Sequence, residues 1–123
     1  MILGIGTDLI HKEKIKNIYS RYEEKFLKKI LSTEEQETFY TLPEGKKINF
    51  LCSSFAAKEA LVKALGTGFR GIYPPDITLQ KDDLGKPRLI SSSLKDLDCH
   101  LSITNTDSYT LSFIVLEKWI WYF

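Results

Sequence analysis

Disulfide and zinc frameworks have little to build on here, since the chain holds two cysteines and two histidines among 123 residues. Cys52 and Cys99 form no CxxC pair, and no cluster of His and Cys completes a zinc site beside them. Both are read as free core thiols in a reducing compartment. No apolar run approaches the roughly eighteen residues a membrane-spanning helix needs. No basic segment followed by an apolar stretch opens the chain, so no signal peptide is expected. The expected setting is cytoplasmic, or a plastid-like organelle if a targeting segment has been removed. Formal net charge is only +1, which supplies no cationic field of the kind that non-specific nucleic-acid binding rests on. Internal repeats, low-complexity tracts and linkers are absent, and so is the GxxxxGK[ST] phosphate loop.

What is present is a globular composition, 43% hydrophobic and 12% aromatic, long enough for one domain spanning residues 1–123. Residues Ile2 to Leu9 read as a strand, with Leu3, Ile5, Thr7 and Leu9 on one face and Ile2, Gly4, Gly6 and Asp8 on the other. The glycine face admits close approach by another backbone or by a ligand. From Lys12 to Leu31 apolar residues recur at helical spacing among lysines, which predicts one interrupted amphipathic helix or two short ones. Lys12, Lys14, Lys16, Arg21, Lys25, Lys28 and Lys29 make this a candidate surface for an acidic partner. Ser32 followed by Glu35 is a capping-box pattern for a helix that Pro43 and Gly45 should stop. A long helix is expected from about Lys47 to Leu65. Then come a strand over Ile77 to Lys81, a turn at Asp82-Asp83-Leu84-Gly85 into Arg88 to Ile90, and a short helix near Leu94. A hairpin closes the pattern, joining His100–Thr104 to Tyr109–Val115. Helices precede most strands without regular alternation, so the class is α+β with a mainly antiparallel sheet.

Chemistry concentrates in FAAKEALVKALGTG, residues 55–68. On a helix, Glu59 and Lys63 stand one turn apart on one stripe, opposite Ala57, Ala60, Leu61, Ala64 and Leu65. Spacing alone fits a surface salt bridge worth about 0.2–0.5 kcal/mol. Asp8 adds weight, because a carboxylate ending a glycine-bearing strand is poorly explained by β propensity and is costly if buried alone. A cation shared by Asp8 and Glu59 explains both carboxylates; an N-cap on the next helix explains Asp8 equally well. Two carboxylates completed by phosphate oxygens and waters suit Mg²⁺, with Lys63 a point charge for phosphate. Gly66-Thr67-Gly68 reads first as a helix stop. His11 and His100 lack partners and are assigned to no site.

Taken in order, Gly4-Ile5-Gly6-Thr7-Asp8, Phe55-Ala56-Ala57-Lys58-Glu59-Ala60, Lys63, Gly66-Thr67-Gly68, Gly85-Lys86-Pro87 and Ser102-Ile103-Thr104 resemble the holo-acyl-carrier-protein synthase family over nearly the whole chain. The resemblance implies a 4′-phosphopantetheinyl transferase-like fold with an antiparallel sheet against a long helix. It implies transfer of the phosphopantetheine arm of coenzyme A to a serine of apo-acyl carrier protein, in support of fatty acid biosynthesis. It also implies Mg²⁺ as cofactor, and a homotrimer with active sites between subunits. By position, Asp8 and Glu59 resemble the metal ligands and Lys63 the pyrophosphate contact, the three together being the catalytic set. Coenzyme A would be held by Lys46, Lys47, Ser54, Lys63, Gly66, Gly85, Lys86, Pro87, Asn105 and Thr106. The early basic helices resemble the carrier-protein docking surface, with Lys14, Ile18, Arg21, Lys25, Phe26 and Lys29 the expected contacts.

Two positions depart from the family pattern. Ser54 stands where arginine is usual and Asn105 where histidine is usual, both near the 3′-phosphate of coenzyme A. Neither side chain supplies the positive charge of the usual residue, so Lys46 and Lys47 are expected to take a larger share. The tail Trp119-Ile120-Trp121-Tyr122-Phe123 is aromatic enough to suggest burial, at a subunit contact or on its own domain. Competing readings are a non-catalytic module gripping an acidic helix and a single-stranded nucleic-acid binder; the coherent acidic pair argues against the second.

Overall fold

The computed structural model of the protein describes residues 1–68 and 70–119. Along them run β1 (Ile2–His11), α1 (Lys12–Tyr22), α2 (Glu24–Ile30), α3 (Thr33–Thr41), α4 (Glu44–Leu65), β2 (Thr78–Lys81), β3 (Pro87–Ile90), β4 (Asp98–Asn105) and β5 (Tyr109–Glu117). Single 3-10 turns occupy Pro74–Asp76 and Ser92–Leu94. Strands β1, β5 and β4 form an antiparallel sheet in that order, and β2 and β3 a separate antiparallel pair. The α+β class with antiparallel pairing is thus as expected.

Helix α4 lies directly on the inner face of the larger sheet, and the glycines of β1 explain how closely. A Cβ at Gly4 would stand 1.9 Å from the carbonyl oxygen of Ala64, and one at Gly6 2.0 Å from that of Ala60. Both separations are far inside van der Waals contact, so any side chain there would push strand and helix apart. What the glycine face receives is therefore the α4 backbone. Buried Ala57, Ala60 and Ala64 give the helix a correspondingly flat side.

The core divides in two. One cluster joins α4 to the sheet and hairpin through Leu61, Ile77, Leu79, Ile114 and Leu116. The other lies beneath α1–α3, around Ile15, Leu27, Leu31, Phe39 and Leu51. Among the described residues the outer sheet face has no such cover. Thr7 pairs with Phe113 and Leu9 with Leu111, and Ile5, Leu9, Leu111 and Phe113 are all exposed there. Scattered apolar side chains are ordinary; here four of them share one face of paired strands.

Several boundaries moved for local reasons. The early helix breaks into α1 and α2 at Glu23, whose φ of 48° leaves the helical region. Ser32 and Glu35 form the expected reciprocal capping box on α3. Pro43 does not merely end α3; it is the N-cap residue of α4, which starts at Glu44 and takes Gly45 into its first turn. Proline is compatible with a helix start because the first N–H groups have no intrahelical acceptor. Gly66 closes α4 at φ 75°, the left-handed stop expected of it. The helix near Leu94 shortens to its single 3-10 turn. Cys52 is buried, Cys99 is half-buried, and both are free.

Candidate active site

The alternation of β1 points Asp8 to the same side as Gly4 and Gly6, toward α4. Lys63 reaches back from the helix, donating to Asp8 Oδ1 at 3.3 Å and to the Thr7 carbonyl at 3.0 Å. Its pairing is therefore with the strand carboxylate, 55 positions away in sequence, and not the local bridge to Glu59. The Lys63 side chain is 55% exposed and that of Asp8 15%, so as an isolated ion pair this contact would contribute little. Asp8 caps no helix: β1 continues to His11, which takes the N-cap position of α1 without a side-chain bond.

Glu59 completes the group. Burial pushes its carboxyl above the usual range, the nearby Asp8 carboxylate pushes it further, and Lys63 opposes both. Two carboxylates thus share a half-buried place that one lysine only partly neutralises. Among the described residues no group of three or more His, Cys, Asp or Glu could hold a metal ion. The donor set is instead two carboxylates with open positions, which fits Mg²⁺.

A groove of about 790 Å³ opens beside α3 and α4, under the β2–β3 hairpin and the end of β4. Of the residues expected to hold coenzyme A, Lys46, Gly85, Pro87 and Asn105 line it. Lys46 and Lys81 give it cations, and Phe50, Leu79 and Ile103 an apolar floor. The hairpin turn is held by Asp82, whose Oδ1 accepts the N–H groups of Leu84 and Lys86 at 2.9 Å each. Gly85 permits this turn with a φ of 83°. Lys86 and Thr106 are exposed beside the groove, and Gly66 lies past Lys63 at the far end of α4. Lys47 turns elsewhere, pairing with Glu44 at 3.1 Å and standing 5.1 Å from the Phe39 ring centre. Asp8, Glu59 and Lys63 are not among the groove's lining residues, so one chain carries the two sets apart.

Ser54 does not face the groove at all. It is fully buried, and its hydroxyl donates to Glu35 Oε2 at 2.6 Å. This bond belongs to a network that sequence reasoning missed. Glu35 and Lys58, each 1% exposed, form an ion pair. Glu35 Oε1 also accepts the Ser32 N–H at 2.9 Å, and Oε2 the Leu79 N–H at 3.1 Å. Lys58 donates to the Ile30 carbonyl at 2.6 Å. Desolvation lowers the Lys58 ammonium's proton affinity, with Glu35 opposing. The available signal was phase: Lys58 falls on the α4 stripe of Leu51, Ser54 and Leu61, all fully buried.

On the basic helices Lys14, Arg21, Lys25 and Lys29 are exposed and Ile18 is half-buried. Ile18 and Arg21, with Asn17 and Tyr22, line a shallow depression of about 380 Å³. Phe26 is a correction, since it packs in the core with Leu27 and Ile30 on the inward side of α2. Lys12 is another, its side chain turned inward. His11 stacks edge-on against Tyr109 at 5.1 Å, and His100 lies 3.1 Å from Glu117; neither contact involves the acidic pair. The Trp119 indole donates to Asp98 at 2.6 Å, and the rest of the aromatic tail, 120–123, lies outside the described residues.

Fold and site together define a small α+β protein whose paired carboxylates, lysine and cation-bearing groove suit a phosphate-containing substrate. The chain belongs to the 4′-phosphopantetheinyl transferase superfamily, whose family model matches residues 4–114. It is 39% identical over 119 residues to a holo-[acyl-carrier-protein] synthase of Geobacillus sp. (strain WCH70), covering 96% of this chain and 98% of that one. A crystal structure of the Bacillus anthracis holo-(acyl-carrier-protein) synthase in complex with CoA (3′,5′-ADP) superposes with a TM-score of 0.87 at 36% identity, covering 96% and 98% of the two chains. The Neisseria meningitidis holo-[acyl-carrier-protein] synthase gives a TM-score of 0.89 at 35% identity, covering 96% and 100%.

Proposed function

We propose that this chain is a holo-acyl-carrier-protein synthase, transferring 4′-phosphopantetheine from coenzyme A to a serine of apo-acyl carrier protein and releasing adenosine 3′,5′-bisphosphate. The observation that carries the reading is the meeting of Asp8, Glu59 and Lys63 on a chain that matches this superfamily over residues 4–114.

In the reaction the serine oxygen forms a bond to the phosphorus bearing the pantetheine arm, and the bond from that phosphorus to the bisphosphate oxygen breaks. Glu59, or a water that it orients, is placed to accept the serine proton. Lys63 sets a positive charge beside the phosphates and offsets charge growing on the departing oxygen. Asp8 orients Lys63 through their mutual contact. Asp8 and Glu59 would hold Mg²⁺, which when bound neutralises phosphate charge and assists the leaving group.

The separation of this trio from the groove and the open apolar sheet face point the same way. On this reading copies associate through Ile5, Leu9, Leu111 and Phe113 as a homotrimer, with the active sites between subunits. Of Lys46 and Lys47, Lys46 is the one placed to serve the coenzyme A phosphates from the groove, Lys47 being paired with Glu44. The exposed cations Lys14, Arg21, Lys25 and Lys29 suit the acidic carrier protein.

The test is direct. Incubated with apo-acyl carrier protein, coenzyme A and Mg²⁺, the protein should add one phosphopantetheine mass to the carrier by intact-mass spectrometry. Binding of carrier without any mass addition would reject the enzyme reading in favour of a docking module.

A further inference from the structure

Lys12 opens α1, yet only 9% of the residue is exposed. Its Nζ donates to the carbonyl oxygen of Thr106, and its backbone N–H donates to that of Ser108 at 2.8 Å. Both acceptors lie in the turn between β4 and β5. Among the described residues the ammonium pairs with no carboxylate. With no counter-charge, the part-buried ammonium gains nothing from ion pairing, so a salt bridge does not explain Lys12.

The turn it grips delivers Asn105 to the groove. The Thr110 hydroxyl donates to Asn105 Oδ1 at 2.6 Å, and Asn105 Nδ2 donates to Ser53 Oγ at 3.1 Å. Ser53 and Asn105 both line the groove. The residues between Asn105 and Tyr109 are exposed and polar, and a turn of that kind, held only by its own bonds, opens easily. Lys12 adds the tie from outside the hairpin, anchoring it to the first turn of α1.

We infer that Lys12 is a positioning residue for the groove: it locks the main chain at Thr106, so fixing the Asn105 carboxamide against Ser53, and sets positive charge behind that wall. Preorganisation of this sort serves an anionic ligand twice, through a rigid donor and through a cation nearby. The inference rests on the reading of this groove as the coenzyme A site.

The experiment varies coenzyme A at saturating apo-acyl carrier protein for wild type, Lys12→Met and Lys12→Arg, with thermal melts and calorimetric coenzyme A titrations of each. Lys12→Met keeps length and loses the charge and the donors. It should raise the coenzyme A KM roughly fivefold to tenfold with kcat within about twofold, the signature of lost uniform binding. Lys12→Arg should recover most of the loss. If Lys12→Met does not fold, Lys12→Gln, which keeps an N–H donor and loses the charge, is read by the same KM criterion. Wild-type turnover with an unmoved coenzyme A KM in the neutral variant overturns the inference alone, whatever happens to the melting temperature. A wild type that neither binds nor turns over coenzyme A overturns the underlying reading and the inference with it.

Discussion

Lys58 and Glu59 are neighbours on α4 and stand in opposite electrostatic settings. Lys58 turns inward, where Glu35 meets it and the Ile30 carbonyl takes a second bond. Both oxygens of Glu35 are occupied, by Ser32, Lys58, Ser54 and Leu79. One helical step on, Glu59 turns outward to a second carboxylate and a half-exposed lysine that prefers Asp8. The first cluster is balanced in charge, and each oxygen of Glu35 already accepts two hydrogen bonds. The second is short of positive charge, and its deficit is what a cation and a phosphate contact would fill. Charge count does not separate the two clusters; completeness of hydrogen bonding and charge balance does.

The comparison breaks first, and hardest, at the buried pair. Lys58→Ala should strand Glu35 in the core and cost about 3–5 kcal/mol of stability, read as a lower urea midpoint, while Glu59→Ala leaves that midpoint close to wild type. Next in size is the chemistry: Glu59→Gln should lower the transfer rate roughly 10²–10³-fold with an unchanged circular dichroism spectrum, the range for losing one preorganised group at a reacting centre. Lys63→Ala should cost about tenfold in kcat/KM, since a half-exposed ammonium is partly replaced by water and salt.

The smallest effect carries a sign. Glu59 holds its proton more tightly folded than unfolded, so its ionisation opposes folding. That penalty is absent below the ordinary carboxylate pKa of about 4.3 and is complete once pH exceeds the raised folded value. Without divalent cation, Glu59→Gln should therefore melt with wild type in acid and slightly above it, by no more than about a few degrees, near neutral pH. Melts of both proteins across this range check it, and a Glu59→Gln variant melting below wild type at neutral pH would reverse the assignment.

Much of the frame was legible because it is written in local patterns. Strand alternation located β1, β4 and β5, the Ser32–Glu35 spacing located the start of α3, and Gly66 located the end of α4. The acidic pair and Lys63 were legible as residues, but the bond from Lys63 to Asp8 spans 55 positions and depends on Gly4 and Gly6 letting α4 close on β1. What failed was burial of polar and aromatic groups. Ser54, Phe26 and Lys12 belong to patterns that are polar or mixed in sequence, and packing of α2, α3 and the β4–β5 turn decides where they point. Glu35 shows the limit well: its capping role is local and readable, while its bonds to Lys58, Ser54 and Leu79 come from two elements far along the chain.

The most direct measurement places Lys58→Met and Glu59→Gln side by side, recording the melting temperature and the phosphopantetheine mass added to apo-acyl carrier protein for each. The expected result is a Glu59→Gln protein that melts at or above wild type and modifies almost no carrier, beside a Lys58→Met protein that is destabilised but modifies carrier wherever it remains folded. A Glu59→Gln protein with wild-type turnover, or a Lys58→Met protein that is fully stable and inactive, would contradict the division between a structural and a functional charge cluster on α4.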